Sequence, residues 1–174
     1  MVAHHQGSQH QGGVKLLMMR AKDIIRIAAA YRMIGYIDPT KQAFTEFRGN
    51  DREGPIHMLN LVRLCEQAHY RDGRQTTGAE AYAAYGRESR PVFVRIGGRI
   101  VWQGRFELTL IGPREEHWDV CFIAEYPSVA AFVEMIRDPV YRAAVKHRRA
   151  AVEDSRLIRL ASLAPGQVFG GMSK

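Results

Sequence analysis

Between Gly54 and Ala161 the chain passes through six stretches able to form buried elements, and their order limits the fold more than any other feature. The first, "GPIHMLNLVRL" from Gly54 to Leu64, is nearly continuous in apolar residues and bounded by turn formers, which reads as an interior strand over 56–63. "YRDGRQTTG" is loop by composition, and Thr77 is placed to cap a helix starting near Ala79. Tyr82, Tyr85, Gly86, Ser89, Val92, Phe93 and Ile96 fall on one face of that helix, which Pro91 should kink and Gly97-Gly98 should end. "RIVWQGRFELTLI" supplies strand material from Arg99 to Ile111, with a bend or bulge near Gly104, and Gly112-Pro113 closes it. "WDVCFIAEY" is the next strand. Ser128 caps a helix carrying Val129, Phe132, Val133 and Ile136, and Asp138-Pro139 separates it from a second helical piece with Val140, Tyr141, Ala144, Val145 and Arg148. "SRLIRLA" is a final strand.

Strand, helix, strand, strand, helix, strand is the split β-α-β order of a ferredoxin-like α+β fold: an antiparallel four-stranded sheet with both helices on one face. The other face of such a sheet must also be accounted for. Leu59, Leu61, Cys121 and Ile123 cannot all lie under helices and are nonetheless apolar, so a second copy of the chain is the simplest cover. The expected assembly is a homodimer.

The 174 residues, 46% hydrophobic and 25% charged, suffice for one substantial core and are too few for two comfortable domains. The expected organisation is a tail and helix over 1–32, a folded domain over 33–161 and a loose Gly-rich tail over 162–174. "MVAHHQGSQHQGG" has almost nothing to bury; its histidines read as part of a solvated tail. From Val14 to Tyr31, Leu17, Ala21, Ile24, Ala28 and Tyr31 recur at helical spacing with Lys15, Lys22 and Arg26 on another face. This basic amphipathic helix reads as a targeting or membrane-surface helix, a docking helix, or an extension from a misassigned start, the last favoured because "MIGYIDPTKQAF" at Met33 looks like a natural beginning. There Asp38 can cap a helix with Pro39 at its first position and Phe44 and Phe47 on its apolar side.

Charge and motif spacing narrow the partners. Of the formal net charge of +7, residues before Ile34 carry five cations against Asp23, a net of +4, leaving +3 for the rest. With arginines interspersed among acids and no ribonucleoprotein or zinc-finger pattern, a nucleic-acid partner is not expected. Charged residues interrupt the only long apolar region, so no membrane span is expected either. Cys65 and Cys121 are far apart without C-x-x-C spacing, which reads as two reduced thiols in a cytoplasmic protein. No Ser-His-Asp order, metal-ligand spacing, P-loop or G-x-G-x-x-G is found, so neither a metal nor a cofactor is expected.

"GPIHMLNLVRL", "TGAEAYAAYG", "IGGRIVWQG", "LIGP", "WDVCFIAEYPS", "FVEMIRDPVYRAAVKHR" and "EDSRLI", in that order, resemble the family called domain of unknown function 1330 over about Met33 to Ala161. The resemblance implies a branch of the dimeric α/β-barrel superfamily, in which two ferredoxin-like subunits close their sheets into a barrel. It implies a homodimer and no established reaction.

Strand alternation places Asn60 with Ile56, Met58 and Val62, and His57 opposite with Leu59 and Leu61. In related barrels the ligand cavity lies beside the sheet, so Asn60 could orient a small organic ligand, or could equally be satisfied by backbone. Glu125 at a strand end could act as a base if burial raises its pKa, or could pair with an Arg. His147, on the stripe of Val140 and beside Tyr141 and Arg148, is a second candidate for proton transfer, or a hydrogen-bonded core residue. Tyr85, like Tyr82, offers a hydroxyl from the first helix or merely packs. The candidate catalytic residues are therefore Glu125 and His147, and the candidate ligand-binding residues Asn60, Tyr85, Tyr141 and Arg148. Two readings stand: a cofactor-free enzyme resembling the monooxygenases and isomerases of the superfamily, or a non-catalytic ligand-binding or structural homodimer.

Overall fold

A computed structural model describes residues 35–163, which fall in one compact unit beginning at Gly35. The expected amphipathic helix over 14–31 lies outside the described residues, as does most of the C-terminal tail. Among the described residues, four helices and four strands follow in chain order from the local signals. Helix α1 (Lys41–Gly49) is capped by Thr40, whose Oγ1 accepts from Ala43 N at 3.1 Å. The cap is thus two residues later than Asp38, because the Asp38 carboxylate is taken by Arg149 Nε at 2.8 Å. After β1 (Ile56–Leu64) comes α2 (Gly78–Arg95), which opens with a reciprocal capping box: Thr77 Oγ1 accepts from Glu80 N, and Glu80 Oε2 accepts from Thr77 N. Helix α2 runs unbroken through Pro91, whose ring lies on the exposed face. It ends in a paired turn, Gly98 N to Phe93 O and Gly97 N to Val94 O, with Gly97 at φ 79° where a side chain would be strained.

Strand β2 (Arg99–Gly104) is shorter than the sequence suggests. The register against the next strand shifts between Ile100 and Trp102, the expected irregularity arriving earlier than Gly104, and residues 105–119 leave the sheet altogether. Strand β3 (Val120–Tyr126) leads through Ser128, which caps α3 (Val129–Arg137), to Asp138 and Pro139. Asp138 Oδ1 accepts from Val140 N and Tyr141 N, starting α4 (Pro139–Ala151) with Pro139 in the first turn. Strand β4 (Val152–Leu160) completes the sheet.

The strands lie in the order β2-β3-β1-β4, every pair antiparallel, which is the ferredoxin-like topology with β1 and β3 in the middle. One face carries the helices and the core. Ile56 and Met58 of β1 and Ala124 and Tyr126 of β3 are buried there with Val92, Val129, Phe132 and Met135, and Tyr126 and Phe132 meet edge to face at 5.0 Å. A second cluster around Val62, Ala81, Ala150, Ala151 and Val152 joins α2 and α4 to the sheet. No helix among the described residues lies over the opposite face: Leu59, Ile123, Trp102 and Ile158 share one cross-strand row, with Leu61 and Cys121 in the next. Trp102 is 52% exposed there, whereas Trp118 is buried under the Arg156 guanidinium.

Candidate functional site: a tyrosine-histidine-glutamate relay

Helix α4 buries Ala144, His147 and Ala151 along one side, so His147 is delivered inward by the same 3.6-residue period that packs the alanines. It is 5% exposed. On one side its Nε2 meets Glu88 Oε2 of α2 at 3.1 Å, and on the other its Nδ1 meets the Tyr70 hydroxyl at 2.5 Å. The carboxylate can only accept, so Nε2 donates to it, and in the neutral ring Nδ1 accepts from Tyr70.

Tyr70 reaches this position because the loop after β1 is laced to the end of α4. Cys65 N donates to Ala151 O and His69 N to Ala150 O, both at 2.8 Å, while Ala68 N donates to Thr76 O. These bonds satisfy carbonyls at the helix end and hold the ring edge-on to His147, centroids 5.6 Å apart. Arg74 covers the other side of the Tyr70 ring at 4.4 Å and is itself fixed by two-pronged contact with Asp72, whose carboxyl is drawn down to about 2 by that hydrogen bonding. Burial pushes the Tyr70 hydroxyl up, with Glu88 and Asp72 adding and Arg74 opposing, so it rests as a neutral proton donor. A groove of about 500 Å³ runs along this cluster, floored by Ala81, Ala83 and Ala84 and walled by Tyr70, Arg87 and Glu88.

The other expected residues go to different places. Asn60 lies on the helix-facing side with Ile56, Met58 and Val62, and its Nδ2 donates to Met58 O at 2.9 Å, the backbone-satisfied alternative. The Tyr85 and Tyr141 hydroxyls are bonded to each other at 3.0 Å. Burial raises Tyr82, Tyr126 and Tyr141, and the Arg148 charge pulls against it at Tyr82 and Tyr141. Arg148 donates to Ile37 O and to Ser155 Oγ. These groups form a second polar constellation between helices and sheet, separate from the groove walls. Glu125 is on the other face, paired with Arg99 Nε at 2.7 Å and His57 Nε2 at 3.0 Å, and His57 Nδ1 is 3.0 Å from Ser162 Oγ. The condition set for Glu125 as a base, a raised pKa, is reversed: the hydrogen bond from Arg99 outweighs partial burial and holds the carboxyl low. Glu125 and His147 therefore do not converge, since a whole sheet separates them.

Sequence reasoning reached His147 and missed Tyr70, Glu88 and Arg87. Tyr70 is the one Phe, Tyr or Trp in a mostly polar loop, and Glu88 is exposed next to the buried Ser89 of α2; only these faint signals mark them.

Against known proteins, a search of the curated proteins found none that matches. A protein of unknown function from Rhodopseudomonas palustris, solved as a structural genomics target, is 76% identical, with a TM-score of 0.73 over 75% of this chain and 99% of that one. Its methylated form, again 76% identical, gives a TM-score of 0.76 over 78% of this chain and all of that one. Residues 73–160 fit the profile of the family described as domain of unknown function DUF1330, which takes in the end of the Tyr70 loop, α2, α3, α4 and three of the four strands, and the chain belongs to that family.

Proposed function

We propose that the protein is a cytoplasmic homodimer that binds a small organic molecule and moves a proton on it, with Tyr70 touching the substrate and His147 and Glu88 behind it. The observation carrying this reading is the buried histidine held between a neutral phenol and a carboxylate at the wall of a groove. As the Tyr70 oxygen takes a proton from the substrate, its own proton passes to His147 Nδ1, and the imidazolium so formed faces the Glu88 carboxylate. The reverse transfer delivers a proton elsewhere on the substrate and restores the resting state. The balanced outcome is an isomerisation or exchange of an acidic C–H or O–H. Pairing of two copies through the helix-free face is supported by its row of apolar side chains and by the charged network that borders it.

A substrate need not be known to test this. Small enolisable carbonyl compounds and carboxylic acids are incubated with the protein in D2O and followed by proton NMR, alongside thermal-shift screening of the same set. Deuterium uptake that disappears in Tyr70→Phe and Glu88→Gln supports the reading; no uptake and no thermal shift with any compound sinks it. The second reading, a non-catalytic ligand-binding or structural homodimer, is favoured by the local satisfaction of Asn60, Tyr85, Tyr141 and Arg148, each bonded within its own chain. It predicts thermal shifts without exchange.

A further inference from the structure

Strands β2 and β3 are antiparallel neighbours, which a turn of two to five residues could join. Instead the fifteen residues 105–119 intervene, and they begin with "RFELTL", a stretch that alternates like a strand but pairs with no strand among the described residues. Leu108 is 66% exposed, Leu110 88% and Ile111 94%, the last two among the most exposed large apolar side chains described. Thr109 between them turns inward, donating its hydroxyl to Glu116 O at 3.1 Å, so the loop has an inner side fixed to itself and an outer side that is greasy.

From this we infer that residues 105–111 form an arm that grips a second copy of the chain. The inference rests on the homodimer reading above and adds what the sheet face does not supply. Four strands about 4.8 Å apart and six to nine residues long at about 3.4 Å each give a flat footprint of roughly 400–600 Å². Stable pairs bury roughly 800 Å² per partner. Side-chain relief narrows the gap, and the arm closes it.

Continuity points to the same occupant. The arm springs from the end of β2, three residues after Trp102, which lies in the exposed row with Ile123, Leu59 and Ile158. Gly104, which carries no side chain, joins that row to the arm, whose exposed Arg105 and Glu107 precede the apolar side chains of Leu108, Leu110 and Ile111. In a two-fold pair each arm would meet the partner, so the contact is made twice for one sequence.

The test uses the full chain and two readouts. Sedimentation velocity over a dilution series gives the dimer constant of the parent, of the double variant Leu110→Ser with Ile111→Ser, and of Leu59→Glu on the sheet face. Hydrogen-deuterium exchange of residues 105–111 is followed over the same dilution in the parent, so the conclusion does not depend on a variant folding. We expect the arm variant to weaken the dimer at least tenfold with the melting temperature of the monomer unchanged, and exchange in the arm to be slow where the parent is dimeric and fast where it is monomeric. An unchanged dimer constant with fast arm exchange at every concentration overturns the arm and leaves the homodimer standing. Arm protection that survives dilution to monomer also overturns it, since the arm would then dock on its own chain. A parent that is monomeric throughout, with Leu59→Glu indistinguishable from it, removes the homodimer reading and the arm together.

Discussion

Replacing Tyr70 by Phe isolates the bond on which the proposed relay depends. Phe preserves the ring that meets His147 edge-on and supports Arg74, so the packing loss is slight and the change is confined to one hydroxyl. What it removes is the hydrogen-bond partner of His147 Nδ1, on a residue 5% exposed. An unpaired buried polar group costs about 1–3 kcal/mol, and the half-open position of Tyr70 puts the expected loss near the middle, about 2 kcal/mol. For a chain of this length that is a fall of about 4–8 °C in melting temperature. Glu88→Gln is the matched control. Its oxygen can still accept from Nε2–H and its side chain is 45% exposed, so it should cost less than about 1 kcal/mol while removing the charge that stabilises the imidazolium. Urea unfolding at neutral pH measures both, and 15N shifts of the imidazole report whether the proton remains on Nε2. If Tyr70→Phe proves as stable as the parent and the imidazole signals do not move, the Tyr70–His147 bond is not made in solution and the relay falls with it.

Other consequences can be checked independently. Glu125 has a folded-state pKa below its unfolded value, so its pairing contributes stability present above the unfolded carboxylate pKa and lost as pH falls through the lower, folded one. Arg99→Gln removes the largest cause, and the drop in unfolding free energy between pH 7 and pH 3 should shrink by about 0.5–1 kcal/mol; an unchanged acid limb would refute the pairing. A Cβ on Gly78 would stand 2.1 Å from Cys65 O and 3.0 Å from Ala151 O, both backbone atoms, so Gly78→Ala must force apart the junction of β1, α2 and α4. A loss of about 1–3 kcal/mol in chemical denaturation is expected, and a neutral substitution would contradict the close approach. Pro91→Ala restores a helical N–H at an exposed position inside α2, and since proline costs about 3 kcal/mol in a helix interior, a gain of about 1–2 kcal/mol is expected in the same assay after the unfolded chain's added freedom is discounted.

The element order was readable because its signals are local. Thr77, Ser128 and Asp138 each cap the helix that follows, and the apolar runs at 56–64 and 120–126 are bounded by turn residues. Even the division of β1 into an Asn60 side and a His57 side follows from alternation alone. Where reading fell short, a distant partner decided. Asp38 loses its cap to Thr40 because Arg149, more than a hundred residues on, claims the carboxylate. "RFELTLI" has the pattern of a strand and no strand to pair with among the described residues, so propensity overstated β2 by seven residues. A hydrogen bond joins Tyr70 to His147 across 77 positions, a proximity fixed by loop-to-helix hydrogen bonds that no spacing rule encodes. The same holds for Glu125, whose pKa depends on standing opposite Arg99 and His57 in the register.

The sheet divides the polar groups into two sets that ought to be separable by mutation. Tyr70, Glu88 and His147 belong to the helix layer, whereas His57, Arg99 and Glu125 share the opposite face with Leu59 and Ile123. A change in the first set alters a groove wall and leaves the helix-free face untouched; a change in the second alters that face and leaves the groove chemically intact. Distant sites without shared partners behave additively, within about 0.3–0.5 kcal/mol. Tyr70→Phe should therefore abolish proton exchange without shifting the dimer constant, Leu59→Glu should dissociate the dimer while each monomer keeps its capacity for exchange, and the double variant should show both defects with no excess. Loss of exchange on dissociation would mean that the partner completes the groove, and the division of labour between the two faces would have to be abandoned.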